Sequence, residues 1–136
     1  MAEKITLKGR KVIGGVAVGE ALVSTWPTMG FRNLDAKRGI ITERGHPLQG
    51  VPLSGKVFVF PTPRGSGDWA SFGRIKGILA MVYFKGNALT VRAAMRLNKP
   101  TVCDFEQDPT KIIESGDWVR VDANNGIVEI TKKATR

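Results

Sequence analysis

The sequence predicts a mixed α/β domain that is rich in β-structure, with strands toward both ends and two helices between them. Three observations carry this reading. Short apolar runs bounded by glycine, proline and asparagine recur from Ile5 onward. Two stretches in the middle change to helical spacing. Asn124-Asn125-Gly126 joins two alternating segments in the manner of a tight hairpin. With 136 residues and 42% hydrophobic content, the chain is read as one domain, residues 1–136, large enough to bury a core without disulfides.

Ile5 to Val23 reads as two strands punctuated by glycine, with Ile5, Leu7, Val16, Val18 and Ala21 to Val23 as apolar positions. Gly14-Gly15 and Gly19 have the wrong spacing for a dinucleotide fingerprint, and no helix pattern follows them, so they are read as turn and bulge glycines. Trp26 to Gly39, holding Pro27, Gly30, Asn33 and Asp35, is a long polar loop of the kind that often carries function. Ile40-Ile41-Thr42 is a short strand, and Gly45-His46-Pro47 turns the chain toward a strand over Lys56 to Phe60. Trp69 to Lys76 is spaced as a short helix, capped by Asp68 or Ser66 and stopped by Gly77. Ile78 to Phe84 is a near-continuous apolar run, as in a buried strand. Over Asn87 to Leu97, Leu89, Val91, Ala93, Ala94 and Leu97 form one apolar side of a helix, and Arg92 and Arg96 stand four apart on another. Pro100 to Phe105 is the next strand, and the hairpin Trp118 to Ile130 closes the domain.

A formal net charge of +9 and a pI near 10.1 call for an anionic partner or ligand: a nucleic acid, an acidic protein or a small acid. Lysine and arginine are dispersed, with no run of five to mark a nucleic-acid tail. The single Cys103 excludes a disulfide framework, and the single His46 leaves no ordinary zinc site, so any metal must come largely from elsewhere. No signal-peptide pattern opens the sequence, and the apolar run Gly77 to Phe84 is far shorter than the roughly 20 residues of a membrane helix. The expectation is a cytoplasmic protein that binds no membrane.

The segment with the most chemistry is Pro61-Thr62-Pro63-Arg64-Gly65-Ser66-Gly67, directly after the apolar Val57-Phe58-Val59-Phe60. A buried strand that empties into such a turn presents a guanidinium, a hydroxyl and free N–H groups together, which is how an acidic substrate is commonly held. The residues alone leave more than one reading open at these positions. Ser66 is a base or a capping serine, and Arg64 is an anion clamp or a surface partner of Asp68. His46 is a proton-transfer group or a buried hydrogen-bonded residue, and Trp69 lines the pocket, anchors an interface or joins the core. Cys103 is most simply a small core residue, with a cluster ligand as the alternative, and Arg32 and Arg38 are solvated loop charges or contacts to substrate or partner.

The order of motifs resembles the aconitase X swivel-domain family. The set is Gly14-Gly15, Gly19-Glu20-Ala21-Leu22-Val23, Gly39-x-Ile41, His46-Pro47-Leu48-x-Gly50, Gly55-Lys56-Val57, Arg64-Gly65-Ser66 and Gly116-Asp117-x-Val119-x-Val121-Asp122 with Gly126, running from about Gly9 to Ile130. The resemblance implies a swivelling β/β/α domain, β-rich, with two or three helices packed on a partly closed sheet. It implies the small subunit of a hydro-lyase, active as a heterodimer with a larger aconitase-X-type subunit that holds iron or an iron–sulfur cluster. Known members dehydrate phosphomevalonate or cis-3-hydroxy-L-proline. By this resemblance Ser66 is the catalytic base, Arg64, Gly65, Gly67 and His46 contact a small acidic substrate, and this chain supplies no metal ligand.

Three positions depart from the family pattern. The turn continues Gly67-Asp68-Trp69 instead of adding serines, Glu43 stands where aspartate is usual three residues before His46, and Gly30-Phe31-Arg32-Asn33 replaces a Phe-Trp-Gly-Gly-like loop. Two alternatives come from other classes. One is a phosphohistidine-type swivelling carrier built on His46, although the threonine-glycine stretch that usually precedes the carrier histidine is missing. The other is a non-catalytic basic binding domain. For nucleic acid, an aromatic content of 7% with no interleaving of Lys and Arg argues against it.

Overall fold

The computed structural model describes residues 3–29, 34–64 and 72–133. The expected two strands of the first segment are three: β1 (Lys4–Lys8), β2 (Arg10–Ile13) and β3 (Val16–Val23). They are followed by β4 (Thr28–Met29), β5 (Leu34–Asp35), β6 (Ile40–Ile41), β7 (Lys56–Phe60), β8 (Pro63–Arg64), β9 (Ala80–Tyr83) and the helix α1 (Ala88–Leu97). The strands β10 (Thr101–Cys103), β11 (Trp118–Asp122) and β12 (Ile127–Thr131) complete the order.

The main sheet has eight strands in the order β1-β12-β11-β3-β7-β9-β10-β2. The centre, β3-β7-β9-β10, is parallel, and antiparallel strands flank it. β1 and β2 lie at opposite ends of this order, yet only Gly9 separates them in sequence. The sheet must therefore curl until its edges nearly meet, and Gly9 is the seam. Its N–H donates to the Gly126 carbonyl at 2.8 Å. A Cβ there would lie 2.6 Å from the Cys103 carbonyl oxygen and 2.9 Å from Val102 Cγ1.

Two hydrophobic layers follow from strand alternation. Ala21, Val23, Val57, Val59, Ala80, Val82, Val102, Val119, Val121, Val128 and Ile130 fill the inside of the curl, where small and β-branched side chains fit a tight concave face. The larger Phe58, Phe60, Met81 and Tyr83 point to the other face. There Ala93, Ala94 and Leu97 of α1, together with Phe72, Ile75, Leu48 and Leu53, cover them. The Phe60 ring stacks on Tyr83 at 4.9 Å and on Phe58 at 5.3 Å. Each such burial contributes about 1.5–3 kcal/mol.

The helix starts where Asn87 Oδ1 accepts the Thr90 N–H at 3.1 Å and Thr90 Oγ1 accepts the Asn87 N–H at 2.9 Å, a reciprocal cap. It ends at Asn98, which takes the left-handed conformation (φ 53°) two residues before Pro100. The helix expected over Trp69 to Lys76 is a 3-10 turn, Phe72–Arg74, within the described residues. The reason is Gly73: its missing side chain lets the Arg96 stem pack against the backbone, and glycine inside a helix is unfavourable. A second 3-10 turn, Pro109–Lys111, has Asp108 as its cap, so among the described residues the two or three expected helices are one α-helix and two 3-10 turns. The loop expected over Trp26 to Gly39 contains β4 and β5, which pair with β8 and β6. Among the described residues no helix is long and apolar enough to cross a membrane.

Candidate functional site

All four parallel strands run the same way, so the residues after Val23, Phe60, Tyr83 and Cys103 meet at one end of the sheet. In open α/β sheets this carboxyl end is where ligands bind. The segment leaving β7 is held there by its neighbours. The Pro61 carbonyl accepts the N–H of Phe84 at 3.0 Å and of Lys85 at 3.1 Å, and β8 then pairs in parallel with β4, Thr28 with Pro63 and Met29 with Arg64. The backbone of Arg64 is thus fixed beside the loop that leaves β3. Its side chain and Gly65, Ser66, Gly67 and Trp69 lie outside the described residues, as do Arg32 and the segment Gly30-Phe31-Arg32-Asn33.

His46 is buried, at 5% exposure, beneath that same loop. Its position comes from a tight turn in which Gly45 takes φ 82° and the His46 N–H donates to the Glu43 carbonyl at 3.1 Å. The Leu48 N–H donates to Nδ1 at 2.9 Å, which requires a lone pair on that nitrogen and assigns the ring proton to Nε2. Nε2 then faces Ser24 Oγ at 3.3 Å, and Ser24 Oγ in turn donates to the Trp26 carbonyl at 2.9 Å. The Trp26 ring meets the imidazole edge-on at 5.3 Å. Ser24 is fully buried and its N–H extends the β3–β7 ladder to the Val59 carbonyl. A continuous path therefore runs from His46 through Ser24 and Trp26 to β4, and from β4 across to Arg64. Ser24 and Trp26 were not singled out from the sequence. The available signal was their place immediately after the apolar Ala21-Leu22-Val23, at the carboxyl end of a strand.

The remaining candidates are tied up elsewhere. Arg38 binds its own loop through Asp35 at 2.6 Å, and the hydrogen bond from Arg38 pulls the Asp35 carboxyl down. Cys103 is buried on the α1 side of the sheet, where burial pushes its thiol up and Asp104 adds to the effect, against Arg10. Such a thiol is a poor metal ligand. Among the described residues no three of His, Cys, Asp and Glu converge to hold a metal, so these residues do not fit an iron centre.

The second framework of the site end is Gly116-Asp117. Asp117 is fully buried and its backbone clasps β3, accepting the Ala21 N–H at 2.8 Å while Gly116 N–H donates to the Ala21 carbonyl at 3.0 Å. The Val23 N–H donates to Ser115 Oγ at 2.8 Å. These bonds hold the last residues of β3 just before Ser24. The counter-charge of Asp117, Lys132, lies beyond the expected hairpin and carried no local signal.

The comparisons with known proteins agree with this architecture. The aconitase X swivel domain matches residues 6–130. The phosphomevalonate dehydratase small subunit of Methanocella arvoryzae is 33% identical over 130 residues, covering 92% of this chain and 98% of its own length. The protein of the same name from Thermococcus onnurineus is 35% identical over 129 residues, covering 91% of this chain and 97% of its own. The crystal structure of Thermococcus kodakaraensis aconitase X, holo-form, is similar with a TM-score of 0.83 at 30% identity, over 94% of this chain and 99% of that one. With the family model matched over residues 6–130, relatives matched over nearly their whole length and a shared fold, the chain belongs to the aconitase X swivel-domain family.

Proposed function

We propose that this chain is the small subunit of an aconitase-X-type dehydratase acting on phosphomevalonate, with a larger subunit completing the site. The observation that carries this reading is the end-to-end match, 98% of the Methanocella arvoryzae small subunit, at 33% identity. A domain that matched only a shared fold would not cover both lengths at that identity.

In this reading Ser66 takes the proton from the substrate carbon while the hydroxyl departs from the adjacent carbon. A C–H and a C–O bond break, a C=C bond forms, and the proton and hydroxide together make water. A serine is a weak base, so it depends on the Arg64 guanidinium and on the N–H groups of Gly65 and Gly67 to favour its anionic form. Arg64 also offers a planar fork to the substrate's carboxylate or phosphate. His46 acts through Ser24 and Trp26 as a positioning residue that fixes β4 and hence the Arg64 backbone. An iron or iron–sulfur centre, which the resemblance assigns to the larger subunit, would supply Lewis-acid chemistry to the departing hydroxyl. The described residues of this chain offer no fit for that group. The Gly67-Asp68-Trp69 continuation is where a difference in substrate preference would reside.

The carrier alternative needs a histidine that can meet a phosphoryl donor, and the 5% exposure of His46 speaks against it. Co-expression with an aconitase-X-type large subunit tests the proposal. A stoichiometric complex that dehydrates phosphomevalonate in preference to cis-3-hydroxy-L-proline is the expected result. A complex active only on the second substrate would overturn the substrate, and the absence of any complex would overturn the subunit assignment.

A further inference from the structure

A cleft of about 530 Å³ opens between the 3-10 turn Phe72–Arg74 and the C-terminal end of α1. Arg74, Lys76, Arg96 and Lys99 line it together with Ile75 and Leu97, and no acidic residue does among the described residues. None of the four cations makes an ion pair with a described residue. Other described cations also lack an ion pair, Lys4, Lys8, Lys37 and Arg44 among them, but these four share one concavity.

The dipole of α1 accounts for Arg96 and Lys99 at its C-terminal end, where cations are favourable. It does not account for Arg74 and Lys76, which come from a separate segment. Four like charges around one concavity repel one another unless an anion joins them. The cleft is also built. The missing side chain of Gly73 lets the Arg96 stem lie against the backbone, and the buried Ile75 and Leu97 form an apolar floor. Its volume is that of a small-molecule site, and two guanidinium forks match phosphate oxygens better than a lone carboxylate.

We infer that this cleft binds a small multivalent phosphate ligand at a site separate from the Arg64 turn. The residues 73–77 precede β9 and residues 96–99 precede β10, so the cleft lies at the amino ends of the parallel strands. Ser24 and Arg64 are at the carboxyl ends. The 3-10 turn follows the Ser66 segment in the chain.

Amide NMR of the full chain titrated with inorganic pyrophosphate tests the site. Saturating shifts are expected at Gly73, Ile75, Lys76, Leu97 and Lys99, whereas shifts centred on Ser24, Trp26 and His46 would overturn it. By calorimetry the Arg74→Gln, Arg96→Gln double variant should bind about tenfold more weakly, since hydrogen bonds to charged groups are the strong ones. A Lys4→Gln, Lys111→Gln control, exposed and outside the cleft, should change by less than about twofold. Equal weakening in both variants would reduce the site to diffuse charge, and the wild-type NMR map stands even if the double variant fails to fold. Pyrophosphate should bind at least about tenfold more tightly than inorganic phosphate. Equal affinities would contradict multivalency, and tighter binding of a hexaglutamate peptide would assign the cleft to an acidic protein segment.

Discussion

The Lys132 ammonium stands 2.6 Å from the Asp117 carboxylate, a fully buried group in the loop that holds the end of β3. Lys132 also donates to the Ile112 carbonyl at 2.8 Å, and Asp117 accepts the N–H groups of Glu114 and Lys133. Burial pushes the Asp117 carboxyl up, but the Lys132 hydrogen bond and the two N–H donors outweigh it, and the carboxyl lies below its usual value. Burial likewise pushes Lys132 down, and Asp117 and Glu114 more than reverse it.

Removing one partner of such a pair leaves a buried charge uncompensated, which typically costs about 3–5 kcal/mol. Lys132→Met should lower the unfolding free energy by an amount of that order. Urea denaturation measures it. The Asp117→Leu, Lys132→Met double variant should lose less than Lys132→Met alone, since no lone charge remains.

The same pair fixes the pH dependence. The lowered Asp117 carboxyl stabilises the fold above the unfolded value of 3.8, and that stabilisation is lost as pH falls through the folded value. The raised Lys132 ammonium stabilises below the unfolded value of 10.5, and its share is lost as pH rises through the folded value. Urea midpoints should therefore be flat with respect to this pair between pH about 4 and 10. In Lys132→Met the acid-side loss should shrink.

The Tyr83 hydroxyl is buried without a hydrogen-bond partner among the described residues, and burial pushes its ionisation far above the ordinary range. An unsatisfied buried hydroxyl costs roughly 1–3 kcal/mol. Tyr83→Phe should therefore be neutral or stabilising by up to about that amount. A thermal melt that fell on this substitution would mean the hydroxyl has a partner.

At the barrel seam, a Cβ on Gly9 meets the Cys103 carbonyl and Val102, and a Cβ on Gly126 (φ 68°) meets the Gly9 carbonyl. Gly9→Ala should destabilise by about 1–3 kcal/mol through overpacking, because backbone on the far side cannot give way. Gly45, where a Cβ meets nothing within 4 Å, provides the contrast: only its φ of 82° penalises Ala.

Ser24→Ala removes the hydroxyl that faces His46 Nε2 at 3.3 Å and donates to the Trp26 carbonyl at 2.9 Å. The expected cost is about 1–3 kcal/mol, read from denaturation. If the path to Arg64 is as described, the complex should also lose turnover without losing assembly.

Local signals read the local structure well. Lys56–Phe60, the Asn124-Asn125-Gly126 hairpin and the helix from Asn87 to Leu97 each announce themselves through periodicity and punctuation, and each stands nearly as read. What the sequence withholds is non-local. Nothing near Gly9 says that it joins opposite edges of one sheet, and nothing near Thr28 says that it pairs with Pro63. The same holds for the site: Arg64 is visible as a turn arginine, but the His46–Ser24–Trp26 path that steadies its neighbours spans 22 residues. Asp117 was legible only as part of a motif, because its ion partner is 15 residues away.

In the proposed reaction Ser66 of this chain is the base of a dehydratase shared with a larger subunit. The most direct test is kcat for phosphomevalonate dehydration by the purified complex carrying Ser66→Ala, with assembly checked by gel filtration. Loss of a general base predicts a fall of about 10²–10⁴ in kcat with the complex intact. An intact complex that turns over within about twofold of the wild-type rate would contradict it.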